Sequence, residues 1–246
     1  PDLGKKSGDF FFIRGQEPKQ ILENIAILMK EKLPKYLSTE PLSIQVMSPQ
    51  KKGLLGVENL NRFLQERLNP PGKNKPEVEG SGNIFRMGDK VMQIKNDYQL
   101  AWEIPGNFNL PIESGEGVFN GDIGKITEIN AYQKTVTVFF EERKVVYSFQ
   151  DLENLELAYA ITIHKAQGSQ FNNVILVLNR NNRMLSRELL YTAITRQQNG
   201  LVILYNDEFR NLLRFSSDEH SDLARRCTDL FTPPKFINIE NKGWYE

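Results

Sequence analysis

Cysteine is almost missing from this chain: Cys227 is the single one in 246 residues. One thiol excludes an internal disulfide framework and fits a reducing, cytoplasmic setting. Histidine is also scarce, with two in all, so a zinc centre is not expected and no metal ligands are assigned. No apolar run approaches the roughly 20 residues that span a bilayer, and residues 1–6 hold no apolar signal core, so no membrane partner is expected. Net charge is lacking too, because 31 basic residues balance 31 acidic ones. A nucleic-acid binder working by bulk charge would be basic, so any such contact must come from local patches. The chain opens on Pro1 rather than Met, which reads as a processed or excised piece of something longer.

What is present is ordinary for a soluble fold, 39% hydrophobic and 25% charged. Residues 10–13 read as a short strand. Ile21, Leu22, Ile25, Leu28 and Met29 recur at helical spacing, which predicts a helix over about 18–32 behind Pro18. Residues 43–47 read as a strand, and Val57, Leu60, Phe63, Leu64 and Leu68 predict a helix over 57–68. Strand, helix, strand, helix suggests parallel βαβ units. Residues 69–82, with three prolines and three glycines, read as a loop or linker. From 84 to about 152 the texture changes to short strands at 91–94, 123–129, 135–140 and 144–149. Turn signals lie between them at Asn120-Gly121, read as a hairpin turn, and at Asn130-Ala131. That pattern suggests a small β-barrel inserted in the α/β domain. In it, Asn96-Asp97-Tyr98 and Trp102 read as core or loop packing, with an aromatic face for bases as the other reading.

The chain is organised around residues 157–171. Residues 157–163 read as one buried strand that ends in a polar run of Thr, His, Lys, Gln, Gly and Ser, with a second strand at 174–178. This places polar side chains at the carboxyl edge of a sheet, where open α/β sheets bind ligands. Gly168 lets backbone approach a ligand closely, and the Gly168 and Ser169 amides can bind an anion. Lys51 and Lys52, beside Ser48 and Gly53, read as point charges for phosphate or as a solvated pair. Residues 186–196 predict a helix ending near Arg196, and 201–205 a last strand. Asn206 or Asp207 then caps a helix carrying Phe209, Leu212 and Leu213. A weak helix follows around 223–230.

Tyr159-Ala160-Ile161-Thr162-Ile163-His164-Lys165-Ala166-Gln167-Gly168-Ser169-Gln170-Phe171 resembles motif V of superfamily 1 helicases of the RecD-like branch, the exodeoxyribonuclease V alpha subunit family. Leu190-Tyr191-Thr192-Ala193-Ile194-Thr195-Arg196 resembles motif VI. Residues 48–56 with Leu60-Asn61, Leu64-Gln65 and Leu68-Asn69-Pro70 resemble the segment before that branch's inserted barrel. Residues 85–93 and 117–124 resemble the insert itself. The likeness spans about 10–210, and the order and spacing of motifs V and VI make it specific.

The resemblance implies a RecA-like, parallel-sheet α/β motor lobe carrying a barrel of the Src-homology-3 type. Residues 1–83 and 155–215 would form the lobe, 84–154 the barrel and 216–246 a tail. It implies the C-terminal lobe of an ATP-dependent, 5′ to 3′ DNA helicase acting in unwinding, repair or recombination. Arg196 would be the arginine finger, since a guanidinium neutralises charge developing on a γ-phosphate. On its residue type alone, Arg196 fits a surface arginine at a helix carboxyl end better, and it is motif V upstream that favours the finger. Gly168 and Gln170 would meet ATP, with Gln170 standing where the family commonly has Glu against the ribose. Thr162, His164, Lys165, Ser169, Ser48, Lys51 and Lys52 would line the single-stranded DNA track.

No G-x-x-x-x-G-K-[ST] occurs in the sequence, nor an apolar strand ending in Asp-Glu. The implied partners are therefore single-stranded DNA and a missing N-terminal motor lobe, with ATP and magnesium bound by the intact protein and not by this piece, which alone should not hydrolyse ATP. Some members of the branch sit in an exonuclease complex with other subunits. Two other readings stand beside this one: a non-catalytic nucleic-acid-binding module, and the helicase lobe of a conjugative relaxase.

Overall fold

A computed structural model describes residues 10–15, 17–73, 75–80, 82–106, 110–178 and 187–205. The helices expected beyond residue 205 lie outside the described residues. The chain divides into two compact units, residues 1–60 with 160–246, and residues 61–159.

The first unit is built on a five-stranded sheet in the order β1 (Phe10–Arg14), β14 (Gln197–Tyr205), β13 (Phe171–Leu178), β2 (Ile44–Ser48), β12 (Ala160–Thr162). Every pairing in it is parallel. The central strands explain why. Residues 174–178 and 201–205 are unbroken apolar runs, buried throughout, as strands covered on both faces must be.

The first helix runs further than its apolar spacing predicts. Helix α1 (Pro18–Ile27) widens into a π-helical turn, Leu28–Lys32, and resumes as α2 (Leu33–Leu37). Pro34 has no N–H to donate and crowds the preceding turn, and the widened turn before it absorbs that mismatch. Ser38 then stops the helix in the left-handed conformation, φ 50°.

The second unit begins with most of α3 (Val57–Leu68) and holds two antiparallel sheets. One is the hairpin β3 (Glu77–Gly80) and β4 (Asn83–Arg86). It corrects the loop expected through residue 82. The prolines there end at Pro76, Gly80 and Gly82 fall at the hairpin's turn, and Val78 pairs with Phe85. The other sheet has seven strands in the order β11 (Leu155–Leu157), β5 (Lys90–Gln93), β8 (Ile123–Asn130), β9 (Thr135–Phe140), β10 (Arg143–Ser148), β6 (Asp97–Pro105), β7 (Pro111–Val118). Strands β6 and β7 have no counterpart among the expected strands. Their sequence is poor in β-branched residues, and they form by pairing with each other, with Gly115 leaving room for the Trp102 ring that a β-carbon would meet at 2.6 Å. Asn120-Gly121 is a turn, with Gly121 at φ +100°, yet it joins β7 to β8, which do not pair, so it is not a hairpin.

The expected single strand over 157–163 is two. Leu155–Leu157 pairs with β5 in the insert, while Ala160–Thr162 pairs with β2 in the parallel sheet. The break falls at Ala158 and Tyr159, where the chain passes from one unit to the other.

A fully buried carboxylate organises the insert. Asp89 accepts hydrogen bonds from Gln65 Nε2 (2.6 Å), Asn69 Nδ2 (2.6 Å), the Arg86 amide (2.7 Å) and the Tyr159 hydroxyl (2.8 Å). Burial pushes its carboxyl above the usual carboxylate range, and these donors pull the other way. Asn61 Nδ2 donates to the Leu157 carbonyl at 2.8 Å, a second tie between the helix and the exit strand. The compact unit so tied, residues 61–159, is wider than the expected 84–154.

Candidate nucleotide and nucleic-acid edges

Thr162 and Ser48 end neighbouring parallel strands and are register partners. At that carboxyl edge the chain leaves β12 into a tightly wound turn. Thr162 Oγ1 accepts from the Lys165 amide at 3.2 Å, and the Thr162 carbonyl accepts from the Ala166 amide at 3.1 Å. His164 is exposed and Lys165 half-buried on this turn. On the adjacent strand end, Lys51 and Lys52 are exposed on the loop from Ser48 to Gly56. The loop carbonyls of Gln50 and Lys51 accept the Val57 and Glu58 amides, so the loop itself caps α3. Gly56 is needed there because a β-carbon would meet the Lys52 carbonyl group at 2.4–2.5 Å. The edge thus gathers two exposed lysines, a half-buried one, an exposed histidine and a hydroxyl, a donor set suited to phosphate oxygens.

Ser48 takes a different part from the one expected. It is buried; its hydroxyl donates to the Leu55 carbonyl at 2.8 Å and accepts from the Gln50 amide at 3.2 Å. It shapes the lysine loop from inside. The Ser169 amide is likewise committed, donating to the Ala166 carbonyl at 3.2 Å. Gly168 is exposed at φ +88°, with open space where a β-carbon would sit, which leaves room for a ligand's approach.

The expected single polar edge is in fact two. Ser48 lies level with Thr162, and Ile44, four residues earlier, lies level with Asn173. Phe171 and Gln197 lie beyond that again, at the amino ends of β13 and β14. At about 3.3 Å per residue, the two levels are roughly 20 Å apart along the strands. The run from Thr162 to Gln170 crosses the whole sheet. It leaves at the carboxyl edge and arrives at the amino edge beside Arg196.

At the amino edge, helix α4 (Arg187–Ile194) ends, and the turn Thr195-Arg196 feeds β14. The Arg196 carbonyl accepts the Phe171 amide at 2.8 Å, fixing the turn against β13. Its guanidinium is held loosely. Nη1 reaches the Ser169 carbonyl and Nη2 the Thr195 hydroxyl, both at 3.4 Å, and the buried Nε has no acceptor among the described residues. A guanidinium whose donors are this poorly satisfied suits an incoming anion. Gln170 Oε1 accepts from Gln198 Nε2 at 2.7 Å on the next strand. Gln198, unforeseen from sequence, follows Arg196 by two residues and needed only the β13–β14 pairing to be found. Among the described residues no group of three or more His, Cys, Asp and Glu could hold a metal ion, and no helix is long and apolar enough to cross a membrane.

Two family models match this chain: the SH3 domain of ATP-dependent RecD-like DNA helicases over residues 60–140, and the UvrD-like helicase C-terminal domain over residues 157–204. Over these two stretches the chain is similar to RecD-like DNA helicases. The ATP-dependent RecD2 DNA helicase of Deinococcus radiodurans is 38% identical over 63% of this chain and 19% of its own length. An uncharacterized protein of Methanocaldococcus jannaschii is 37% identical over 76% of the chain and 16% of its own. The chain therefore spans less than a fifth of either relative. Of solved structures, the Pif1 helicase from Bacteroides in complex with ADP-AlF3 and ssDNA aligns with 88% of this chain and 51% of its own, at 18% identity and TM-score 0.42. The first matched domain covers most of the insert, and the second covers the run from the exit strand to the last described strand.

Proposed function

We propose that these residues are the C-terminal motor lobe of an ATP-dependent DNA helicase, working 5′ to 3′ with a companion lobe that supplies the phosphate loop and the acidic pair for magnesium. The observation that carries the reading is the continuous run from Thr162 to Gln170. It joins a cationic carboxyl edge to an amino edge where Arg196 holds an under-satisfied guanidinium. In this reading the two edges divide the work. Single-stranded DNA lies along the first, gripped by Lys51, Lys52, Thr162, His164 and Lys165. ATP closes against the second, where Arg196 stabilises the phosphoryl-transfer transition state and Gly168 and Gln170 approach the nucleotide. A shift of nucleotide state at one end is felt at the other because one short segment carries both. The polarity rests on family resemblance alone. Gln170 keeps an acceptor where the family commonly has a carboxylate, so nucleotide affinity is expected to lean on Arg196 and the companion lobe.

The experiment compares Arg196→Ala with Lys165→Ala in the intact protein. Arg196→Ala should lower DNA-stimulated kcat by about 10³-fold or more while DNA affinity stays within a few-fold. Lys165→Ala should weaken single-strand binding and flatten its salt slope by about one. Unchanged turnover in Arg196→Ala would remove the finger and favour a non-catalytic nucleic-acid-binding module. Substantial ATP hydrolysis by the 246-residue chain alone would refute the division between lobes.

A further inference from the structure

The insert carries a surface unlike the carboxyl edge of the motor sheet. Strand β7 is the last in its sheet and, among the described residues, pairs only with β6. Its outer edge thus presents backbone donors and acceptors that no strand answers, in a stretch exposed from Pro111 to Ser114 and again at Glu116. Natural edges are blunted by lysine, proline or a bulge. Here Pro111 and the left-handed Gly117 (φ +105°) mark the two ends and leave Ile112–Glu116 unblocked between them.

Apolar side chains stand out along the same arm. Ile112 is 77% exposed, Leu110 69% and Tyr98 68%, and Tyr98 meets the half-exposed Phe119 edge-on. The charge on this arm has one sign. From Asn96 to Gly124 there is no Lys or Arg, against Asp97, Glu103, Glu113, Glu116 and Asp122. Three of these are used internally: Glu103 by Lys144 (2.8 Å), Asp122 by Arg143 (3.2 Å), and Asp97 by the Gln99 and Leu100 amides (both 3.1 Å). Glu113 and Glu116 are exposed and have no cation within ion-pair distance among the described residues. A phosphate backbone is repelled by such an arm, so it is not a nucleic-acid surface. A second copy is disfavoured too. Antiparallel self-pairing centred on Ser114 and Gly115 would set Glu113 against Glu116 of the other chain.

We propose that β7 is a docking edge for a basic protein segment, which adds to the insert as an eighth strand. Main-chain hydrogen bonds to Ile112–Glu116 supply the affinity, and side chains opposite the glutamates select the partner. Glu113 is register partner of Ile104 and Glu116 of Ala101, so the two glutamates point to opposite faces of the sheet. An antiparallel occupant therefore reads, in its own direction, basic, any, any, basic, apolar, the apolar residue lying opposite Ile112.

The test uses the full chain and two labelled strand peptides of equal length and β-branched content. One has Lys opposite Glu113 and Glu116 and Val opposite Ile112. The other has Glu at the two lysine positions. By fluorescence anisotropy the Lys peptide should bind about tenfold or more tightly than the Glu peptide, with the gap shrinking as salt rises. E113K/E116K, which touches no described ion pair, should invert the preference while far-UV circular dichroism is unchanged. Equal binding of the two peptides, or a preference that E113K/E116K leaves unmoved, overturns the proposal. So does a loss of oligothymidylate affinity in Ile112→Ala, which would mark a nucleic-acid surface, or a dimer in sedimentation that E113K/E116K dissolves.

Discussion

Lys90 offers the sharpest quantitative test of the insert. It opens β5 in a fully buried position, and burial alone depresses its ammonium from 10.5 to about 7. An unfolded lysine holds its proton up to about pH 10.4. Between about 7 and 10.4 the unfolded chain thus binds more protons than the folded one, so this group makes stability rise with pH across that window. Its stabilising contribution is complete above the unfolded value and is lost as pH falls towards the folded value near 7. A drop of about 3.5 units at about 1.4 kcal/mol each gives roughly 5 kcal/mol as an upper bound, since local relaxation and water entry reduce it. Lys90→Met keeps the length of the side chain and removes the proton. In urea titrations followed by Trp102 fluorescence, the variant should be more stable than the parent by about 2–4 kcal/mol at pH 7. That advantage should shrink towards zero by pH 10. Stability curves that stay parallel from pH 7 to 10 would refute the reasoning, because they would mean that Lys90 remains charged in the folded insert.

Two further substitutions probe the framework. Asp89→Ala removes the acceptor shared by four donors, Gln65 on α3, Asn69 just beyond it, the Arg86 amide on β4 and the Tyr159 hydroxyl, and should lower stability by about 3–5 kcal/mol in the same titration, with a smaller urea slope if the insert loosens on its own. Gly56→Ala drives a β-carbon into the Lys52 carbonyl group and should reshape the loop bearing Lys51 and Lys52. We expect about 1–3 kcal/mol of destabilisation and a several-fold loss of single-strand affinity in the intact protein, read by thermal melting and anisotropy.

Apolar runs made the parallel sheet legible. Residues 174–178 and 201–205 are unbroken apolar runs of strand length, buried on both faces. The same rule misled at residues 157–163. An unbroken apolar stretch does not say that its first half pairs with β5 and its second with β2, because both sheets bury it equally. Strands β6 and β7 were illegible for the opposite reason. Glutamates, glycines and one tryptophan give little strand propensity, and the hairpin exists through cross-strand pairing, as with the Trp102 ring seated over Gly115. The residues proposed for the site lie on loops and strand ends. Their sheet edge could not be read, since spacing records order along the chain and not the direction in which the chain crosses the sheet.

The position of the insert follows from the parallel topology. Strands β2 and β12 are neighbours and parallel, so the chain that leaves Ser48 must travel back before it can re-enter at Ala160. An ordinary α/β protein makes that return with one helix. Here α3 begins the return, and the rest of the crossover is the whole insert, residues 61–159. A connection of that length would leave its two ends far apart in an unconstrained chain. Asp89 removes that freedom by binding Gln65 and Asn69 on the entering side and Tyr159 on the leaving side, so both connections are held by one carboxylate. The buried charge is therefore best understood as what turns a long excursion into a short crossover, closing the loop at its base. On this argument Asp89→Ala should slow refolding of the parallel sheet as well as weaken the insert, because β12 cannot find β2 until the excursion between them is closed. Refolding kinetics that leave formation of the first unit at the parental rate in that variant would show that the sheet assembles without the tie.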